Sequence, residues 1–191
     1  MTEDACSEPE SLVAVLSNDH VELGVLLTEL LSSLDEANVD EAYVRLDLLW
    51  ARLAVHIRAE NVQVFPDILR ALDGQPAAGR QDVERTAVLR ASIERLRRDH
   101  DVFMYELKDA VKALRTVMDD RDGKRASVVL RSLRDRLGAL EGAFESHNRE
   151  EDSVYPTAAS VLETAEMADL MIRVRRELAA LPPRLRGLPS R

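Results

Sequence analysis

The sequence predicts an all-α protein, built as an up-down-up-down four-helix bundle with a short extra C-terminal helix. Three observations carry that prediction. Hydrophobic residues make up 46% of the 191-residue chain but aromatics only 4%, so the core is to be built from Leu, Val and Ala. Charged residues reach 32% and alternate in sign, the pattern of solvated helix faces. The seven glycines and seven prolines gather near a few positions and leave four long stretches with apolar residues at helical spacing.

The first helix follows Ser7-Glu8-Pro9-Glu10, a capping-box spacing with Pro in the first turn, and carries the apolar run Leu12 to Leu34. Asn38 with Glu41 opens the second, which runs through Trp50 and His56 to about Leu72, with Pro66 expected to kink it. Asp73-Gly74-Gln75-Pro76, then Gly79, is a loop. The third helix spans about Gln81 to Met118, and Asp120-Arg121-Asp122-Gly123 turns into the fourth, which Pro156 ends or kinks. Ser160 with Glu163 is placed to cap a shorter fifth helix, stopped by Pro182-Pro183. The expected division is an acidic, disordered tail over 1–9, the bundle over 10–180, and a basic tail over 181–191.

A net charge of −9 argues against a nucleic-acid binder, which would show a basic face. The chain ends differ in sign: residues 1–10 carry Glu3, Asp4, Glu8 and Glu10, whereas residues 173–191 hold six Arg against one Glu. Both ends read as solvated tails. The lone Cys6 cannot form an internal disulfide, a redox pair or a thiolate metal site. Nothing reads as a signal peptide or a membrane span, so a soluble, cytoplasmic protein is expected.

The chemistry lies in the histidines. His20, His56, His100 and His147 are the only imidazoles in the sequence. His56 and His147 each carry a glutamate four residues on, Glu60 and Glu151, and residues at that spacing share a helix face. His20 and His100 each follow an aspartate, Asp19 and Asp99. The segment from His56 to Val64-Phe65-Pro66 also matches the segment from His147 to Val154-Tyr155-Pro156, the second copy being one residue shorter. The chain therefore reads as two related helical hairpins, and a site between them has approximate two-fold symmetry.

All four histidines fall on apolar faces: His20 among Leu16, Leu23 and Leu27, for example, and His147 among Leu140, Phe144 and Val154. A single inward histidine is ordinarily a core residue. Four of them with two inward carboxylates call for a counter-charge, because unpaired buried carboxylates cost several kcal/mol. A metal site of His20, His56, Glu60, His100, His147 and Glu151 follows. Imidazole and carboxylate without thiolate suit iron or manganese, with zinc possible.

On these residues the chain resembles the hemerythrin-like (HHE cation-binding) family, from the first helix to Pro156. The resemblance implies a four-helix bundle around a non-haem di-iron centre. It implies His20 and His56 on one iron, His100 and His147 on the other, and Glu60 and Glu151 as bridges, with an oxo or hydroxo group between the ions. The oxygen-carrying members have a further histidine where Met104 stands and an aspartate as the second bridge. Two nitrogens and two carboxylate oxygens per ion, plus that bridge, leave an open position on each. Two vacancies suit turnover of a small oxidant rather than reversible carriage. The expected function is therefore reduction or disproportionation of hydrogen peroxide, oxygen or nitric oxide in stress defence, with an electron donor and without nucleic-acid or membrane partners. Reversible oxygen or nitric oxide binding or sensing, and iron storage or donation, are the alternatives.

Other residues carry open readings. Met104 is a weak sulfur ligand or a packing residue, and Tyr43, Tyr105 or Tyr155 could supply a phenolate. Gly24, one turn beyond His20, makes room for a small ligand or for close helix packing. Asp19 and Asp99 orient the neighbouring imidazoles or are solvated at the surface.

Overall fold

The structure is a computed structural model that describes residues 11–74, 79–119 and 124–185. Helix α1 (Leu12–Asp35) starts on Ser11, whose Oγ accepts the Ala14 amide at 3.1 Å. Ser7–Glu10, Cys6 and the acidic tail lie outside the described residues, as does residues 186–191 of the basic tail. At its far end Ala37 takes φ 55°, the left-handed conformation that reverses the chain. Asn38 then accepts the Glu41 amide at 3.3 Å and opens α2 (Val39–Ala59), as its sequence predicts.

The second long helix does not run unbroken to Leu72. Residues Glu60–Val64 form a π turn, in which the Phe65 amide reaches back to the Glu60 carbonyl. Helix α3 (Phe65–Gly74) continues from it, with Pro66 in its first turn, where a missing N–H costs little. The break attributed to Pro66 therefore begins six residues earlier, at the glutamate itself. Helices α4 (Arg80–Asp119) and α5 (Lys124–Val161) follow, and Pro156 sits inside α5 without ending it. The turn at 120–123 is outside the described residues. Helix α6 (Thr164–Leu178) is capped by Glu163, whose amide bonds the Glu166 carboxylate at 3.0 Å. Ser160 does not cap it; its hydroxyl donates to the Thr157 carbonyl within α5.

Helix α1 packs on α2 and α5, and α4 packs on the same two, so four long helices close a ring. Helix α6 lies on α2 and the π turn. No described helix is long and apolar enough to cross a membrane.

The core is divided. One apolar cluster, with Leu30, Leu46, Leu107 and Leu114 at its centre, fills the end near the α1–α2 turn. A second, with Leu16, Phe65, Ile68 and Leu96, fills the end covered by α6, where Leu170 and Val174 are fully buried. The inward histidines and glutamates lie between these clusters.

Gly24 is half-buried, and a Cβ built there meets no atom within 4 Å. Close packing is therefore not what places glycine in α1. Gly24→Ala is expected to stabilise the fold by about 0.5–1 kcal/mol. The check is a urea denaturation midpoint that rises while the slope stays constant.

Candidate metal centre

Each hairpin contributes one pair of imidazoles. His20 Nε2 faces His56 Nε2 at 3.0 Å, and His100 Nε2 faces His147 Nε2 at 3.0 Å. Two ligands at right angles, each about 2.1 Å from a common ion, stand about 3 Å apart. All four rings are at most 6% exposed, and Glu60 and Glu151 are fully buried.

The carboxylates divide their oxygens between the pairs. Glu151 Oε2 lies 3.1 Å from His20 Nε2, while Oε1 lies 3.2 Å from His100 Nε2 and 2.9 Å from His147 Nε2. Glu60 Oε1 lies 3.4 Å from His56 Nε2 and Oε2 lies 3.2 Å from His100 Nε2. Donor atoms of His20, His56, Glu60 and Glu151 converge within 4.8 Å of one another, and so do those of His100, His147 and Glu151. Glu151 belongs to both groups.

Protons alone do not satisfy this arrangement. His100 Nε2 has His147 Nε2 and two carboxylate oxygens within 3.2 Å, and one N–H cannot serve three acceptors. Glu60 Oε2 and Glu151 Oε2 make no hydrogen bond, although each has an imidazole nitrogen nearby. The separations fit an ion pair while the angles fail a hydrogen bond. A buried acceptor left this way costs about 1–3 kcal/mol, and more when charged, which a shared cation offsets. The residues present therefore fit metal ions, one at each pair.

The far sides of the rings are held across each hairpin. His56 Nδ1 donates to Asp19 Oδ2 at 2.8 Å, and Arg52 holds the other oxygen of Asp19 at 2.7 Å. His147 Nδ1 donates to Asp99 Oδ2 at 3.4 Å. Asp19 and Asp99 thus serve the histidine of the facing helix and not the one beside them in sequence. Adjacent residues diverge by about 100° on a helix, so an aspartate beside an inward histidine reaches the neighbouring helix instead. His100 Nδ1 donates to Asn61 Oδ1 at 3.3 Å, a partner the sequence reading missed. His20 Nδ1 is buried without a partner. A proton on Nδ1 leaves Nε2 its lone pair, which is the tautomer a metal requires.

The π turn explains the one-residue difference between the repeats. It takes up the extra residue of the first copy and returns Phe65 to the register of Tyr155. Phe65 stacks on His100 with ring centres 6.2 Å apart, and Tyr155 stacks on His20 at 6.1 Å. The pseudo-symmetry is also broken at one oxygen: the Tyr155 hydroxyl donates to Glu60 Oε1, and Phe65 has no counterpart. Burial, then the charges of Glu60 and Glu151, push that phenol well above its usual range, so it stays a donor. Of the three tyrosines, Tyr155 alone stands at the site; Tyr43 bonds Arg115 and Tyr105 is exposed. Met104 packs half-buried against the apolar core, as its packing reading predicts.

Burial works against the charges of Glu60, Glu151, His56 and His100, and their partners outweigh it. Burial raises Glu151, yet the nearby imidazoles of His100, His147 and His20 hold it well below its usual value. Burial and Glu151 raise Glu60, while His56 and His100 bring it lower. His56 is lowered by burial but held well above its ordinary value by Glu60 and Asp19. His100, likewise lowered by burial, is raised to about 9 by both glutamates.

Next to the histidines, Phe103 and Phe144 line an apolar cavity of about 10 Å³ with Leu23, Leu27, Leu49 and Leu53. Phe103 lies edge-on to His147 and Phe144 to His20. Gly24 is not among its lining residues.

Residues 11–159 match the family model for the hemerythrin HHE cation binding domain. No curated protein and no solved structure matches significantly.

Proposed function

The chain belongs to the hemerythrin HHE cation-binding family, and from that premise we propose a non-haem di-iron protein that reduces or disproportionates a small oxidant. The observation that carries this reading is the pair of facing imidazole couples joined through both oxygens of Glu151. In the proposal His20 and His56 hold one ion and His100 and His147 the other, with Glu60 and Glu151 across both. The frame is an up-down-up-down four-helix bundle over residues 10–180. Nitrogen and oxygen donors without thiolate favour iron, with manganese and zinc as the other candidates. Bound iron supplies reversible one-electron change at each of two positions.

The residues of the chain set which substrate can use it. The ligands are buried between two apolar clusters, and the cavity beside them is walled by Phe and Leu. No charged side chain among its lining residues could recognise a large or ionic substrate. The apolar, uncharged surroundings favour a small neutral substrate, for which the proposal takes hydrogen peroxide, oxygen or nitric oxide, as in defence against oxidative stress. Asp19, Asn61 and Asp99 keep three rings in the ligating tautomer. The Tyr155 hydroxyl fixes one oxygen of Glu60.

Two measurements test the proposal. Protein made with ample iron is expected to carry two iron ions per chain, and less than about one sinks the di-iron reading. Stopped-flow mixing of the reduced protein with peroxide is expected to show catalytic loss of peroxide, abolished in Glu60→Ala. A stable, reversible oxygen adduct without turnover would instead establish a carrier or sensor.

A further inference from the structure

Helix α6 begins beyond residue 159, outside the span shared with the family, yet it reaches back to the turn that carries Glu60. Its apolar side, Leu170 and Val174, is buried in the second core cluster. Its polar side grips the π turn. Arg173 Nη1 donates to Gln63 Oε1 at 2.7 Å, Nη2 donates to Asp67, and Nε donates to Asp169 at 2.9 Å. One turn on, Glu177 accepts from the Gln63 amide at 3.4 Å and pairs with Arg58 at 3.0 Å. Gln63, Asp67 and Glu177 are all buried.

A π turn needs such a grip. Its wide turn is rarer than the α-helix, and sliding back to α geometry removes one residue from the register. At about 100° per residue, that slide would turn either Glu60 or Phe65 away from the histidines. Apolar packing by Leu170 and Val174 gives adhesion without direction. A three-way guanidinium fork between two buried acceptors and its own helix is directional.

We infer that Arg173 is a positioning residue for the metal centre: through Gln63 and Asp67 it holds the π turn in the register that aims Glu60 at both histidine pairs. The inference rests on the metal reading proposed above. Arg173→Met keeps the length and apolar stem of the side chain and removes the fork. Arg173→Lys keeps a charge but cannot reach three acceptors at once. Val174→Ala loosens the attachment of α6 without touching the fork.

The experiment is anaerobic titration of each folded, metal-free variant with ferrous iron, alongside hydrogen exchange of the Phe65 amide. Arg173→Met is expected to keep its helicity and to bind iron about 10–100-fold more weakly, the usual cost of removing a group that orients a ligand. Arg173→Lys is expected between it and the native protein, and it carries the test should Arg173→Met not fold. In the metal-free protein the Phe65 amide, bonded to the Glu60 carbonyl, is expected to exchange at least about tenfold faster in Arg173→Met than in Val174→Ala. Native iron affinity in Arg173→Met overturns the inference. So does an equal loss in Val174→Ala, which would make Arg173 only an anchor for α6. Should the native chain bind no iron, the metal reading falls, and the exchange comparison still decides whether Arg173 holds the turn.

Discussion

Glu151→Ala is expected to leave a folded helical protein that can no longer hold a metal pair, with bound iron falling to one ion per chain or none. The reason is the unequal placement of the two carboxylates. Glu151 stands in both converging groups of donors. Without it the first group keeps His20, His56 and Glu60, which is enough for one weak site. The second keeps only His100 and His147 as a close pair, with Glu60 reaching His100 alone at 3.2 Å. Glu151→Gln separates charge from shape, since the amide keeps one acceptor oxygen but not the negative charge that balances two cations. It is expected to lose most of the paired iron as well. In the metal-free protein the same truncation removes the acceptor near three buried imidazoles, and breaking a buried pair of this kind costs about 3–5 kcal/mol. Part of that loss is recovered, because Glu151 also raises the Glu60 carboxyl and its removal ends that repulsion. Iron-to-protein ratios and urea midpoints measure both effects. Two tightly held ions in Glu151→Ala would refute the shared-ligand geometry.

The six proposed ligands were legible because a metal site leaves a periodic trace. An inward histidine with a glutamate four residues on is visible in one dimension, and its repetition links the hairpins. Tyr155 was legible to the same degree, since it lies four residues beyond Glu151 and so on the same face. Residue type alone does not distinguish it from Tyr43 and Tyr105. The π turn left no such trace. Val62, Gln63 and Val64 have no propensity that separates π from α geometry, and only the extra residue in the first repeat hinted at it. Helix caps were ambiguous for a different reason. Ser160 and Glu163 both precede the last helix, so the choice between them rests on tertiary packing that spacing does not encode. The grip of α6 on Gln63 joins residues 110 positions apart, a contact no local pattern announces.

Metal-free and metal-loaded protein are expected to respond oppositely to rising pH. In the metal-free fold His56 and His100 are held above their ordinary value, His100 at about 9. A raised imidazole contributes stability in full below about pH 6.5 and loses it as pH rises through its folded value. For His100, a displacement from 6.5 to about 9 corresponds to roughly 3 kcal/mol at about 1.4 kcal/mol per pH unit, and His56 adds to it in the same direction. The glutamates act on the other side: Glu60 and Glu151 are lowered, so their contribution is present above about pH 4.5 and lost as pH falls through their folded values. The metal-free protein is therefore most stable between about pH 4.5 and 6.5 and weakens steadily toward pH 9. Metal binding requires the same imidazoles to be neutral at Nε2, so loading must expel their protons. Affinity then rises with pH over the interval in which the empty fold weakens. Urea midpoints of both forms at pH 6, 7.5 and 9 test this, together with calorimetric proton release measured in two buffers of different ionisation enthalpy. A metal-free midpoint that climbs between pH 6.5 and 9, or loading without proton release at pH 7, would show that these imidazoles are not charged in the empty site.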